Sequence, residues 1–155
     1  MYLYLVQHAE ARPKEEDPKR PLSDKGRSDI QKVAAFIAKK ANVKVKRIIH
    51  SGKTRAQQTA EILAEYLHPC EGIKKAEGLN PLDDPLIWLK RLVDIKEDIM
   101  LVGHLPHLDR LSSYLLCQNI DKKTIDFQMG GVVCLKKNEA NSWSVGWMVI
   151  PELVK

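Results

Sequence analysis

The stretch YLYLVQH, residues 2–8, sets a continuous apolar run directly before a polar pair, Gln7 and His8. Such an unbroken run is typical of a strand that is buried on both faces, as in a parallel sheet. Two shorter segments repeat the form: RIIH at residues 47–50 is followed by Ser-Gly, and IMLV at residues 99–102 is followed by Gly-His. We therefore predict three buried strands, each followed at once by small or polar residues.

Amphipathic segments follow these strands, because apolar residues recur in them three or four positions apart. The first predicted helix begins near Asp24 with Ser23 as its cap, and Gly26 in its first turn is a mild cost. The residues expected on its buried face are Ile30, Val33, Ala34, Ile37 and Ala41. Further helices are predicted from about Lys53 to Leu67, from Leu86 to Ile95, and after Pro106, with a proline-bearing loop between the first two of these.

The last part of the chain has a different pattern. Residues 131–136 and 143–150 are rich in apolar side chains and flank a polar segment, 138–142, which predicts an antiparallel hairpin at a sheet edge. The alternation of strands and helices before it indicates the α/β class. No repeat or linker divides the chain. We predict a single domain over residues 1–155, a three-layer α/β/α sandwich with a mostly parallel central sheet and an antiparallel edge.

The composition is that of an ordinary globular protein, with 44% hydrophobic and 29% charged residues. Lys and Arg number 25 against 20 Asp and Glu, and the net charge of +5 favours an anionic substrate or partner. The basic residues are spread along the chain without a recognised nucleic-acid module, so we expect no nucleic acid as a partner.

The sequence also indicates the cellular compartment in which we expect the protein. No apolar run approaches the roughly 20 residues that span a bilayer, and the first residues lack the pattern of a signal peptide, so we expect no membrane association. The cysteines, Cys70, Cys117 and Cys134, are widely spaced and form no C-x-x-C pair. We expect buried free thiols in a reducing cytoplasm, with no metal site and no cofactor.

The ends of the three predicted strands are where a ligand should bind, because open α/β sheets bind ligands beyond the carboxyl ends of their strands. These ends carry His8, the segment 51–55 that enters a helix, and His104. A neutral imidazole can act as a nucleophile, and Arg55 offers planar donors that match phosphate oxygens. The helix N-terminus adds further attraction for an anion. The sequence therefore predicts a site for a phosphoryl group.

Four motifs in order resemble those of the histidine phosphatase superfamily. They are LVQHAEA at residues 5–11, RPLSDKG at 20–26, SGKTRAQQTA at 51–60 and GHLP at 103–106. The last motif and the chain length resemble the small SixA-type phosphohistidine phosphatases. The resemblance implies a phosphoglycerate mutase-like fold, His8 as the phosphoryl acceptor, and Arg55 and His104 as groups that bind the phosphoryl oxygens. Arg20 lies in a matching motif and is a further candidate for phosphate binding.

Two features depart from the family pattern. Gln7 stands where the family has an arginine, and it remains a candidate for phosphate binding because its amide can donate two hydrogen bonds. It brings no charge, however, and losing a charged donor would cost roughly 2–4 kcal/mol of transition-state stabilisation. Arg12, Arg20 or Lys53 is a candidate to compensate. In larger relatives a carboxylate protonates the leaving oxygen, and Glu77 is the candidate for that acid here. A phosphohistidine substrate needs such an acid less, because its leaving imidazole is protonated near neutral pH.

The sequence leaves several functions open. We expect a phosphohistidine phosphatase that acts on a phosphorylated signalling or carrier protein. A small-molecule phosphomonoesterase that uses Glu77 is the alternative enzyme, and a phosphate or phosphoprotein-binding module weakened by Gln7 is the alternative of another class. Among the other histidines, His50 is expected to be packed or half-exposed, and His107 either lines the pocket or lies on the surface.

Overall fold

The computed structural model describes residues 1–155, as a mixed six-stranded sheet with four α-helices. The strands are β1 (Tyr2–Gln7), β2 (Arg47–His50), β3 (Ile73–Lys75), β4 (Ile99–Gly103), β5 (Val132–Lys137) and β6 (Trp143–Val149). The helices are α1 (Asp24–Lys39), α2 (Thr54–Leu67), α3 (Leu86–Asp94) and α4 (His107–Cys117), and a 3₁₀ turn spans Pro151–Leu153.

The strands lie in the order β3-β2-β4-β1-β5-β6. The first four are parallel, whereas β5 runs antiparallel to β1, and β6 runs antiparallel to β5. The antiparallel edge is the predicted hairpin. The structure thus confirms the α/β fold with a mostly parallel sheet and an antiparallel edge.

The sheet separates two apolar cores. Along β1, Tyr4 and Val6 pack into the core that α1 and α2 cover, whereas Leu3 and Leu5 pack into the core beside α3 and α4. Successive side chains of a strand point to opposite faces, so a strand covered on both faces needs an unbroken apolar run. This requirement explains the pattern at residues 2–6.

Gly26 ties α1 to the loop after β1. Ser23 caps the helix by accepting a hydrogen bond from the Gly26 amide at 3.0 Å, as predicted. A β-carbon at position 26 would collide with the carbonyl oxygen of Glu10. The glycine allows this close approach, so it is more than the mild helix cost that the sequence suggests.

Several expectations from the sequence are wrong in detail. β3 lies in a segment predicted to be a loop; it has three residues, and two of them are exposed lysines, so it lacks the apolar pattern of the other strands. Ala41 is exposed beyond the end of α1, which stops at Lys39. Cys70 and Cys117 are exposed, and only Cys134 is buried.

No helix is both long enough and apolar enough to cross a membrane.

Candidate active site

Three neighbouring parallel strands bring the candidate residues to one edge of the sheet. Gln7 pairs with Gly103 across β1 and β4, and His50 pairs with Val102 across β2 and β4. The residues that follow these strand ends, among them His8 and His104, therefore lie side by side. The His8 amide donates to the Gly103 carbonyl at 3.1 Å, and the two imidazole rings are 5.1 Å apart between centroids.

The orientation of His8 is fixed through its Nδ1 atom. Nδ1 lies 2.8 Å from the carbonyl oxygen of Ala9, and since a carbonyl only accepts, Nδ1 carries the proton. Nε2 therefore keeps its lone pair. The Nε of Arg55, in the first turn of α2, donates to Nε2 at 3.3 Å. Nε2 of His8, the atom able to attack phosphorus, thus faces the guanidinium of Arg55, a permanently charged group able to bind phosphate.

The Thr59 side chain connects Ala9, the neighbour of His8, to Arg55. Its hydroxyl accepts a hydrogen bond from the Ala9 amide at 3.0 Å and donates to the Arg55 carbonyl at 2.7 Å. The side chain of Gln58 accepts from the Leu22 amide at 2.8 Å, which ties the loop after Arg20 to the same helix. Both residues lie in the motif at 51–60, but the sequence alone does not show these contacts.

His104 is held by Ser51, a residue to which sequence reasoning assigned no role. The Ser51 hydroxyl and the Nε2 of His104 share a hydrogen bond of 2.6 Å, and the Lys53 amide donates to the same hydroxyl at 3.3 Å. The Nδ1 of His104 is buried without a partner. The turn between β2 and α2 therefore helps to set the position of the imidazole that directly follows β4.

Both histidines are neutral at physiological pH. The pKa of His8 is lowered to about 4, mainly by burial; the hydrogen bond to the Ala9 carbonyl opposes this shift, and the charges of Arg55 and Arg20 contribute to it. Burial likewise lowers the pKa of His104 to about 3, with His8, Arg55 and Lys53 adding to the effect. No carboxylate is among the groups that act on either ring, so the pocket favours an anion.

Arg20 lies close enough to this pocket to act on it. Its charge lowers the pKa of both His8 and Arg55, although burial is the larger cause in each case. The backbone of Arg20 is in the left-handed region, with φ of 48°, and its Nε donates to the Arg12 carbonyl at 3.2 Å. Arg12 itself pairs with Glu16 and Asp24 on the surface, at 3.9 Å each.

Gln7 brings no charge to the site. Its side-chain amide makes no hydrogen bond, and Oε1 is buried without a partner. Its backbone carbonyl accepts from the Gly130 amide at 3.0 Å, which anchors the loop before β5. The Gln7 side chain, like Nδ1 of His104, therefore keeps hydrogen-bonding capacity that no protein group uses.

Glu77 is exposed in the loop between β3 and α3. Its backbone carbonyl accepts hydrogen bonds from Trp88 Nε1 at 3.1 Å and from Arg91 at 2.9 Å. Its carboxylate makes no hydrogen bond or ion pair with any residue, His8, Arg55 and His104 included.

His50 and His107 are both buried in the protein. His50 is buried, and its Nδ1 accepts from the Gly52 amide at 3.1 Å, in line with the expectation of a packed residue. His107 is fully buried with neither ring nitrogen bonded, so the surface alternative for it is wrong.

The fold has counterparts among known proteins. The family model of the histidine phosphatase superfamily (branch 1) matches residues 3–83, and the chain belongs to this superfamily. Comparison with curated proteins gives no match.

Solved structures of the same fold include that of the protein histidine phosphatase SixA complexed with tungstate, at 21% identity and a TM-score of 0.84 over 100% of both chains. The alpha-ribazole phosphatase from Shigella flexneri is similar at 14% identity and a TM-score of 0.77, over 94% of both chains. A phosphoserine phosphatase mutant from Entamoeba histolytica, in complex with phosphoserine, is similar at 14% identity and a TM-score of 0.72, over 95% of both chains.

Proposed function

We propose that this chain is a phosphohistidine phosphatase that removes phosphate from a histidine-phosphorylated protein. The observation that carries the proposal is the state of His8: its Nδ1 proton is held by the Ala9 carbonyl, its pKa is lowered to about 4, and Nε2 faces Arg55. An imidazole in this state is a nucleophile aimed at a phosphate-binding group.

The reaction would proceed in two transfers. In the first, the lone pair of His8 Nε2 forms a bond to phosphorus while the bond from phosphorus to the substrate nitrogen breaks, and the substrate imidazole leaves with a proton from solvent. In the second, water attacks the phosphoryl group on His8, the N–P bond breaks, and inorganic phosphate is released. His8 regains its lone pair and can act again.

Charge in both transfers would be stabilised by the groups around His8. Arg55 is the main ligand for the phosphoryl oxygens, because a guanidinium offers parallel charged donors. His104 and Gln7 add neutral donors, and Arg20 supplies the second positive charge that the family arginine would otherwise provide. Positioning and electrostatic stabilisation are the protein's main contributions in phosphoryl transfer.

The leaving group supports phosphohistidine as the substrate. No carboxylate acts on either site histidine, so the pocket holds no evident acid for an alkoxide. An imidazole is protonated near neutral pH and leaves without such an acid. The free cysteines fit a reducing compartment, and we place the reaction in cytoplasmic signalling on residues 1–155 as one domain.

A small-molecule phosphomonoesterase is the second candidate, and the exposed, unbonded carboxylate of Glu77, in the loop that follows β3, favours it. This candidate predicts strong turnover of sugar or nucleotide phosphates that Glu77→Gln reduces. If turnover of such esters is unchanged in Glu77→Gln, Glu77 is not the acid.

A third candidate is a binding module, which the uncharged Gln7 favours. Incubation with a histidine-phosphorylated carrier protein separates it from the enzyme. We expect wild type to release phosphate and His8→Ala to release none above the spontaneous rate. Equal release by both proteins would contradict the proposed function.

A further inference from the structure

Exposed apolar side chains cluster along the loop after β3 and the outer face of α3. Leu82 is 84% exposed, Leu86 47% and Ile87 38%, and Val93 at the far end of the helix is exposed as well. The inner face of the same helix buries Trp88 and Leu92. A surface helix normally turns polar residues outward, and a contiguous exposed apolar area marks an interaction site. We call Leu82, Leu86 and Ile87 the apolar rim.

The apolar rim lies at the same edge of the sheet as the candidate active site. β3 is parallel to β2, so the loop that follows β3 begins where the β2–α2 turn begins. Burial lowers the pKa of His107, and the charges of Asp83 and Asp84 in this loop oppose that shift. His107 in turn adds to the effect of burial in lowering the pKa of His104. A β-carbon at Gly103 would lie 3.5 Å from the carbonyl oxygen of Leu79, which is also in this loop. The loop that bears Leu82 therefore borders the pocket on the His104 side.

We propose that the apolar rim is the docking surface for a phosphorylated protein whose own apolar side chains surround its phosphohistidine. This inference rests on the proposed function. The pocket holds cations and neutral histidines, so it attracts a phosphoryl group, and the rim offers apolar surface on the loop that borders this pocket and on the helix that follows. One partner satisfies both features: a protein with a phosphoryl group set in an apolar surface. A small phosphorylated metabolite would occupy the pocket and leave the rim in water.

The double variant Leu82→Ser/Leu86→Ser tests the rim. Both side chains are exposed, so the fold should be retained, and thermal melting checks this. Val145→Ser is the matched control, because Val145 is 50% exposed on β6 and pairs with Leu135, towards the opposite end of the sheet. The substrates are a histidine-phosphorylated carrier protein, prepared with phosphoramidate, and p-nitrophenyl phosphate as a small substrate. Binding of the phosphorylated carrier is measured in a His8→Ala background, where it is not consumed.

We expect the rim variant to weaken binding of the carrier by about tenfold or more, in proportion to the apolar surface lost. The kcat/KM for the carrier should fall to a similar degree through KM, with p-nitrophenyl phosphate turnover unchanged. Val145→Ser should alter none of these. An unchanged binding constant, an equal loss for both substrates, self-association of the wild type that the rim variant abolishes, or no binding of the carrier to His8→Ala would overturn the inference.

These readings separate the two proposals. If wild type binds the carrier through the rim but does not dephosphorylate it, the proposed function fails and the docking surface stands. If wild type dephosphorylates the carrier and the rim variant binds it equally well, the docking surface fails and the proposed function stands.

Discussion

His8 donates its Nδ1 proton to the carbonyl oxygen of Ala9 over 2.8 Å, and this contact determines which nitrogen of the ring faces the pocket. Ala9 is itself held by Thr59, so the orientation of the imidazole is set by α2 as well as by β1. The same helix supplies Arg55. One helix, α2, thus helps to position both His8, the proposed nucleophile, and Arg55, the proposed phosphate ligand.

The pH dependence of turnover follows from the state of His8. Its pKa is lowered to about 4, so the ring is neutral and nucleophilic at all pH values above that. We expect the acidic limb of kcat/KM, corrected for the separately measured ionisation of the substrate, to have its midpoint well below 6.5. A midpoint at 6.5, the ordinary value for histidine, would contradict the buried, neutral state.

Arg20→Ala tests whether a cation elsewhere replaces the family arginine. Arg20 acts on both His8 and Arg55, so its removal takes positive charge from the pocket. We expect kcat/KM to fall by about tenfold to a hundredfold, in steady-state assays with a histidine-phosphorylated carrier. Arg27→Ala is the control, because Arg27 is exposed on α1 and forms no ion pair. Equal effects of the two substitutions would show that only net charge matters.

Gln7 is tested by a pair of substitutions of similar length. Gln7→Arg adds a charged donor beside His8 and should raise kcat/KM by about tenfold. Gln7→Met removes the amide donors and should lower it. The measurement is single-turnover loss of phosphate from the carrier, which excludes product release. If neither substitution changes the rate, the side chain at position 7 does not contact the phosphoryl group.

Ser51→Ala removes the hydrogen bond to Nε2 of His104. Ser51 acts through His104, so it is a positioning residue, and we expect kcat to fall by about tenfold with a smaller change in KM. Ser112→Ala provides the control, since Ser112 is equally buried but bonds to the Asp109 carbonyl on α4. A loss confined to thermal stability, with kcat unchanged, would assign Ser51 a purely structural role.

The sequence predicted the elements whose side chains are constrained on both faces. β1 and β4 show unbroken apolar runs because both of their faces are covered, and Ser23 shows the start of α1 because a cap needs an oxygen at that position. The sequence did not predict β3, because this edge strand buries little apolar surface and two of its three residues are exposed lysines. Its backbone pairing with β2 forms only once the sheet exists.

The candidate site was predictable in its residues and not in its contacts. The strand ends of β1 and β4 indicated His8 and His104, since parallel strands end at one edge. The hydrogen bond from Ser51 to His104 joins residues 53 positions apart, and no local pattern reports it. The location of Arg20 depends on a left-handed backbone at a residue that is not glycine, which the sequence does not reveal.

The most direct test of the account is to trap the phosphorylated enzyme. The chain is mixed with the phosphorylated carrier, quenched in base within the first turnover, and digested for mass spectrometry. The account predicts one acid-labile, base-stable phosphoryl group on the peptide that contains His8, attached to Nε2 and absent from His8→Ala. Turnover by His8→Ala at the wild-type rate, or a phosphoryl group on another residue, would contradict it.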